Sequence, residues 1–519
     1  MGNEILYTTI DINELKKEMN ISDQITLFDT TLRDGEQAPG IALTPDEKIQ
    51  IAQRLDNLGI DIIEIGFPAA SEGEKEAAKD LNSLGLDATL GGLARLVKND
   101  VDAVLDSDLG YMHTFIGTSQ LHREYKLKMS KEKIIEKTIN TIEYGKDHGL
   151  TIEFSCEDAT RTELDYLFDV YHAAESAGVD KINVPDTVGI LVPSTAKKLI
   201  HELRSEIKVP MSVHFHNDFG LAVANSVMAI EEGANQAHLT VNGLGERAGN
   251  ASLEEFVMTL KIEYGIDLDI DTTQLYSLSD FVSRTTGFTL PPNKAIVGRN
   301  AFAHEAGIHV QGILNNSETY EPIPPEIVGQ SRKIALGKHA GMNGLKAKLE
   351  EFRLDLTEDQ IKSVFEQIKN IGDKGKILND ADVKSIAMSE ISTAEKESIK
   401  LLGLTVVSGE SVSPTATVKL SIDDEVKEIS QIGVGPVDAA LNAIQALVQE
   451  KINIKLEDYH LGAISGGTDA LAEVFSITSD DEGNKASGRA TNEDVIMASV
   501  QSIINAINKI IFIKENSDQ

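Results

Sequence analysis

The run MSVHFHN (211–217) holds two histidines, His214 and His216, separated by one residue. In an extended strand alternate side chains share a face, so both imidazoles project to one side and Phe215 to the other. Two imidazole nitrogens joined by a carboxylate and an amide oxygen make a mixed nitrogen–oxygen site for a divalent ion, with positions left for a substrate. Taken alone, such a pair is more often a packed or surface feature than a metal site. Four other runs are dense in groups that do chemistry: DTTLRDGEQ (29–37), Glu157-Asp158, Asp186-Thr187 and NGLGERAGN (242–250). These runs are far apart in sequence, so the fold must gather them.

Residues 25 to about 265 alternate β-rich runs with amphipathic helical runs, eight times. The strand runs are ITLFDTT (25–31), DIIEIGF (61–67), ATLGGLA (88–94), GYMHTFIG (110–117), TIEFSCE (151–157), KINVPDT (181–187), MSVHFHN (211–217) and QAHLTVNG (236–243). Thr44-Pro45-Asp46-Glu47 reads as a capping box with proline in the first helical turn, and Ser71 with Glu74 repeats the device. Gly59, Gly85, Gly149 and Gly178 fall where helices should stop. Eight βα units in this length predict an α/β fold, a (β/α)₈ TIM barrel. A doubly wound sheet is the rival, but it has fewer strands and a glycine-rich first turn. Barrel chemistry sits at the C-terminal ends of the strands, which is where all five polar runs fall. Asp34 ends strand one, which this reading places adjacent to strand seven after closure, and that makes a metal site with His214 and His216 the favoured interpretation.

The chain has 519 residues, too many for one core. Its boundaries read as an N-terminal extension (1–24), the barrel (25–268), helical linker subdomains (269–395) and a C-terminal domain (396–519). The last contains a β-β-β-α unit twice, without an acid–base or metal constellation, and reads as a regulatory and dimerisation module. With 83 acidic against 48 basic residues the formal charge is −35, which repels phosphate backbones and anionic lipid and excludes nucleic acid and membranes as partners. Cys156 is the single cysteine, so no intrachain disulfide forms and a reducing compartment is expected. No apolar run approaches a membrane span and the acidic first twenty residues are no secretory signal, so the cytoplasm is the expected location.

The motifs LRDGEQAPG (32–40), HFHNDFGLAVANS (214–226) and NGLGERAGNAS (242–252) resemble the signatures of the DRE-TIM metallolyases, in their Claisen-condensing acyltransferase branch of isopropylmalate, citramalate and homocitrate synthases. The resemblance covers nearly the whole chain and implies condensation of acetyl-CoA with a 2-keto acid. It implies Asp34, His214, His216 and Asn250 as the metal site, Arg33 as stabiliser of enolate and alkoxide, and Thr187 as binder of the keto-acid carboxylate. Gln37 and His113 join the substrate site, although His113 reads equally as a packed barrel histidine. His309 and Tyr320 match the family's subdomain residues, and the base that deprotonates the acetyl methyl is either His309 or Glu157. The loop with Gly243, Gly245, Glu246 and Arg247 suits approach to CoA. The implied cofactor is a divalent ion, Mg²⁺ or Mn²⁺ with Zn²⁺ a further option, and a monovalent cation as activator. Gly66-Phe67-Pro68 and Asn183-Val184-Pro185 resemble the isopropylmalate version, implying 3-methyl-2-oxobutanoate as acceptor, a place in leucine biosynthesis, and leucine as inhibitor of a homodimer. Pyruvate, as in citramalate synthases, and the homocitrate acceptor are the alternatives. Glycines near each helix start of the repeat (Gly433 and Gly435 with Asp438; Gly488 before Glu493) offer backbone N–H groups to an effector carboxylate. A lyase of the superfamily would carry a cysteine after strand eight, where this chain has Glu246.

Overall fold

The structure is a computed structural model that describes residues 12–373, 378–393, 398–463 and 471–517. The first eleven residues of the expected N-terminal extension lie outside the described residues, as do 374–377 and 394–395 of the linker, 396–397 and 518–519 of the C-terminal domain, and the end (464–466) of the strand run expected from residue 452. Two compact units form, Met1–Phe302 with Pro322–Arg332, and Ala303–Glu321 with Lys333–Gln519.

The first unit is a closed barrel of eight parallel strands in sequence order. They are β1 (Thr26–Asp29), β2 (Ile62–Glu64), β3 (Thr89–Arg95), β4 (Tyr111–Gly117), β5 (Thr151–Glu157), β6 (Lys181–Asp186), β7 (Met211–Phe215) and β8 (Gln236–Leu239). β1 pairs with β2 and, closing the ring, with β8. β8 therefore stands between β1 and β7, which corrects the expected adjacency of strands one and seven. The start signals work as read at Thr44, which caps the helix Pro45–Leu58 in a reciprocal capping box. Ser71 also caps its helix, but Glu74 does not return the bond, because its carboxylate is taken by the buried ammonium of Lys48 at 2.7 Å. Gly59, Gly85, Gly149 and Gly178 all adopt positive φ, the left-handed geometry that ends a helix. The helix Leu275–Thr286 packs back on the barrel, with Arg54 over the Phe281 ring at 4.1 Å.

Leu27, Ile51, Leu55, Phe154, Val213 and Phe256 are wholly buried in the apolar layers around the strands. The barrel interior is polar. Glu153 accepts hydrogen bonds from Tyr111 Oη (2.5 Å), Gln236 Nε2 (2.8 Å) and Ser212 Oγ, and meets His238 Nε2 at 2.7 Å. Burial alone would raise the Glu153 pKa; His238, His113 and Lys181 hold it well below the usual range.

In the second unit a short parallel pair, β9 (Ala303–His304) and β10 (Lys333–Ile334), precedes the helices Met342–Glu351, Glu358–Asp373 and Asp380–Thr393. Leu345, Val364, Ile368 and Ala387 form their core. The repeat follows as β11 (Ile399–Gly409), β12 (Val412–Ile422), β13 (Glu425–Ile432) and the helix Pro436–Val448, then β14 (Ile454–Ala463), β15 (Ala472–Asp480), β16 (Lys485–Asn492) and the helix Val495–Ser517. Both sheets are antiparallel, and the two helices share one core through Ile444, Val448, Ile503 and Ile507. Among the described residues no helix is long and apolar enough to cross a membrane.

The repeat's glycines divide. Gly435 caps the helix Pro436–Val448, and Asp438 Oδ2 accepts from Val434 N at 2.9 Å, so Gly435 and Asp438 stand at a helix start with Gly433 beside them. Gly488 does not. It lies within β16 opposite Ser476, where a Cβ would come 1.9 Å from the Ser502 carbonyl oxygen, so it lets a helix lie against a strand.

Candidate active site

At the C-terminal end of β7, His214 and His216 share a face while Phe215 is wholly buried behind them. Their Nε2 atoms are 3.3 Å apart. Asp34, past the end of β1, reaches over the short β8 to bring its Oδ2 to 3.6 Å from His214 Nε2 and 3.9 Å from His216 Nε2. Asn250 arrives through a bridge to His216, and its Nδ2 donates to Asp34 Oδ2. Burial, with the neighbouring rings and Arg33, pushes the His214 pKa well down. His216 is lowered too, chiefly by burial, which outweighs the pull of Asp34. Both rings are thus neutral and offer lone pairs. Asn250 Oδ1 is buried without a hydrogen-bond partner, and rotation of the amide exchanges it with Nδ2. Two neutral imidazoles, a carboxylate and an unsatisfied amide oxygen fit a divalent ion.

The glycine-rich loop holds Asn250 in place. Gly245 has φ 155°, and a Cβ there would lie 2.7 Å from Asn250 Nδ2; one at Gly249 would lie 1.9 Å from the Gly243 carbonyl oxygen. Gly243 and Gly245, expected to meet CoA, therefore join Gly249 in closing the loop upon the Asn250 amide beside Asp34. Arg247 forks onto Asp218 at 2.8 and 2.9 Å and donates to the Thr187 carbonyl.

Arg33 is held from both sides. Its Nε meets Glu64 Oε2 at 2.6 Å and its Nη1 meets Asp34 Oδ1 at 2.9 Å. Glu64 is fully buried, receives Thr30 Oγ1 at 2.6 Å, and passes its other oxygen to His113 Nδ1 at 2.7 Å. Burial would raise its pKa, but Arg33 and His113 hold it well below the carboxylate range. His113 Nε2 continues to Ser155 Oγ at 2.7 Å, which also accepts from Asn183 Nδ2. Sequence reasoning missed Glu64 and Ser155, and it read Asn183 only as part of the acceptor segment. A signal for Glu64 was there: a carboxylate inside the apolar run DIIEIGF must be paired once buried.

Arg33, Asp34, His113, Ser155, Asn183, His214 and His216 line a cavity of about 330 Å³ at the strand ends, with Gln37, Glu157, Thr187, Glu246 and Arg247 at its walls beside apolar Leu93, Phe115 and Pro185. His113 is both packed and exposed to this cavity, so its two readings merge. Thr187 Oγ1 accepts from Asp158 N at 2.9 Å, which leaves its own O–H to donate. Glu157 is clasped by Lys126 Nζ at 2.7 Å, on a π-helical turn (His122–Leu127), with His122 Nδ1 at 3.4 Å. Burial raises its pKa, but His122 and Lys126 lower it further, so Glu157 is a weakened base. His309 and Tyr320 belong to the second unit, where their rings stand 4.3 Å apart. Cys156 is buried on the far side of β5, where burial raises its thiol pKa.

Three families match the chain: HMGL-like over residues 24–282, Homocitrate synthase post-HMGL domain-like over 296–376, and LeuA allosteric (dimerisation) domain over 377–511. The chain is similar to the 2-isopropylmalate synthase of Methanocaldococcus jannaschii, with 54% identity across 97% of this chain and 98% of the relative. It is 50% identical to a probable 2-isopropylmalate synthase of Methanopyrus kandleri (94% and 98% covered) and 45% identical to the (R)-citramalate synthase of M. jannaschii (94% and 99%). Among solved structures, the HMG-CoA lyase of Bacillus subtilis aligns over 53% of this chain and 97% of its own, at 20% identity and a TM-score of 0.48. With a barrel that gathers Asp34, His214 and His216, and with identities of this size along its length, the chain belongs to the 2-isopropylmalate synthase family.

Proposed function

We propose that the barrel condenses acetyl-CoA with 3-methyl-2-oxobutanoate and hydrolyses the thioester, yielding 2-isopropylmalate and CoA on the route to leucine. The observation that carries this reading is the donor cluster of Asp34, His214, His216 and Asn250 beside an Arg33 tethered by Glu64. A divalent ion held there, Mg²⁺ or Mn²⁺ given the oxygen donors with Zn²⁺ a further option, supplies Lewis-acid polarisation of the acceptor ketone. A monovalent cation acts as an activator.

Arg33 stays charged and is fixed before substrate arrives, so it stabilises negative charge on the enolate and alkoxide oxygens without reorganisation. Thr187 turns its free O–H to the acceptor carboxylate. Gln37 and His113 orient the keto acid, and Leu93, Phe115 and Pro185 receive its branched end. Glu157, engaged by Lys126, is the poorer base, which favours His309 with Tyr320 as the pair that takes the acetyl-methyl proton. Gly243, Gly245, Glu246 and Arg247 are assigned to the CoA side of the cavity. The C-terminal repeat is assigned to a homodimer and to leucine binding near Gly433, Gly435 and Asp438, where Val434 is almost fully exposed (95%). Gly488 is reassigned to helix packing. A single buried cysteine fits the cytoplasm.

The test is a CoA-release assay with 3-methyl-2-oxobutanoate, pyruvate and 2-oxoglutarate. The two acceptors differ by two methylene equivalents, each worth about 1–3 kcal/mol, so weak side activity on pyruvate is expected. A kcat/KM ratio of 3-methyl-2-oxobutanoate over pyruvate below one assigns the chain to citramalate synthesis instead.

A further inference from the structure

Gly312 sits inside the helix Gly307–Asn315, where its backbone is ordinary helix and no left-handed φ calls for glycine. Glycine is a poor helix former, so its presence there asks for a packing reason. The neighbour is Tyr320. A Cβ at position 312 would stand 2.7 Å from Tyr320 Cε2, 3.0 Å from its Cδ2 and 2.9 Å from Thr319 Oγ1. Gly312 follows His309 by three residues, one turn along the helix, and Val310 and Ile313 beside them are buried. The bare backbone is thus the seat on which the tyrosine ring lies to meet the His309 ring at 4.3 Å.

The strap that carries Tyr320 is pinned at both ends. Asn316 N donates to the Gly312 carbonyl, Thr319 Oγ1 donates to the Asn316 carbonyl at 2.8 Å, and Tyr320 N and Glu321 N both donate to the Ser317 carbonyl. Beyond the ring, the buried Glu321 meets His304 Nε2 at 3.2 Å, tying the strap to β9.

We propose that Gly312 is a positioning residue for the condensation: its missing side chain is the space in which Tyr320 settles against His309, and the His304–Glu321 pair holds the strap that carries the ring. This rests on the reading that His309 and Tyr320 serve the reaction. Tyr320 is 46% exposed and can swing into solvent, so an alanine at 312 displaces the ring without unfolding the helix, which alanine itself favours. Activity and stability should therefore move in opposite directions, which a merely structural glycine would not produce.

The experiment uses the full-length, metal-loaded protein. His309→Ala and Tyr320→Ala come first; wild-type kcat in both overturns the reading on which the inference rests. With those two impaired, Gly312→Ala is expected to lower kcat on the order of 10–100-fold, with KM for the keto acid within about twofold and Tm unchanged or raised. In a Tyr320→Ala background the same substitution should cost nothing further. Wild-type kcat in Gly312→Ala, or an equal loss in both backgrounds, overturns the positioning role while leaving the His309–Tyr320 reading intact. Glu321→Gln keeps the side-chain volume and tests the pin, also if Gly312→Ala folds poorly. A kcat loss at unchanged KM is expected, and wild-type kcat overturns the role of the pair.

Discussion

Charge placement decides what individual side chains in this barrel can do. His214 and His216 are neutral because burial disfavours their cations, so His214→Ala should lose bound metal and nearly all turnover while the barrel stays folded; metal content and circular dichroism check this together. Glu64 acts through Arg33 and His113. Glu64→Gln keeps the shape but removes the charge, and it should lower kcat about 10–100-fold with KM for acetyl-CoA little changed. A kcat near wild type would mean that Arg33 needs only Asp34. Asp29 behaves differently. It is wholly buried, accepts from Thr31 N at 2.9 Å, and burial pushes its pKa up to about 7, against 3.8 in an unfolded chain. Between those values the folded state binds the extra proton, so stability from this group is present below pH 4 and falls as pH rises to 7, by up to about 4 kcal/mol. Asp29→Asn should remove that component, and urea midpoints at pH 5 and pH 8 should lie closer together in the variant than in the wild type.

Caps and close approaches set the elements. The Thr44 box and the positive-φ glycines were legible because helix ends are local events, decided by groups a few residues apart. Ser71–Glu74 was legible only by half, since Glu74 is claimed by Lys48 from a different helix. The glycine-rich loop after β8 also answers to tertiary demands. Gly245→Ala would press on the Asn250 amide and strain a backbone at φ 155°, so it should lower Tm somewhat and weaken metal affinity about 10–100-fold in a chelator competition run well below that Tm. Unchanged affinity would return the loop to a CoA role alone. Gly488 shows why a glycine near a helix start in sequence need not be at one in space: β16 continues past it, and its hydrogen takes the place of a side chain beneath Ser502.

At the level of the whole chain, the C-terminal repeat has its own apolar core, from Ile399 through Ile511. Truncation after about residue 395 should therefore abolish leucine inhibition while leaving measurable condensation; inhibition as strong as in the full chain would place the effector site elsewhere. An effector shifts the enzyme only by binding its inhibited form more tightly, so leucine affinity and inhibition should fall together in variants of Gly433 or Asp438.

The amino-acid order alone determined the barrel, its eight repeats, the βββα duplication and the residue types of the metal cluster, because hydrophobic period, caps and His-x-His spacing are written locally. It named Asp34 for that cluster but not the route by which the carboxylate arrives. Strand one is separated from strand seven by β8, and only closure of the barrel brings its carboxylate to within 4 Å of the imidazoles. Nor could it join Glu64 and Ser155 to Arg33 and His113, or show that Asn183, read only within the acceptor segment, donates to Ser155, because those partners are contributed by other strands. What a buried polar group does depends on which distant atoms desolvate and pair with it, and in this molecule the tertiary structure alone supplied those partners.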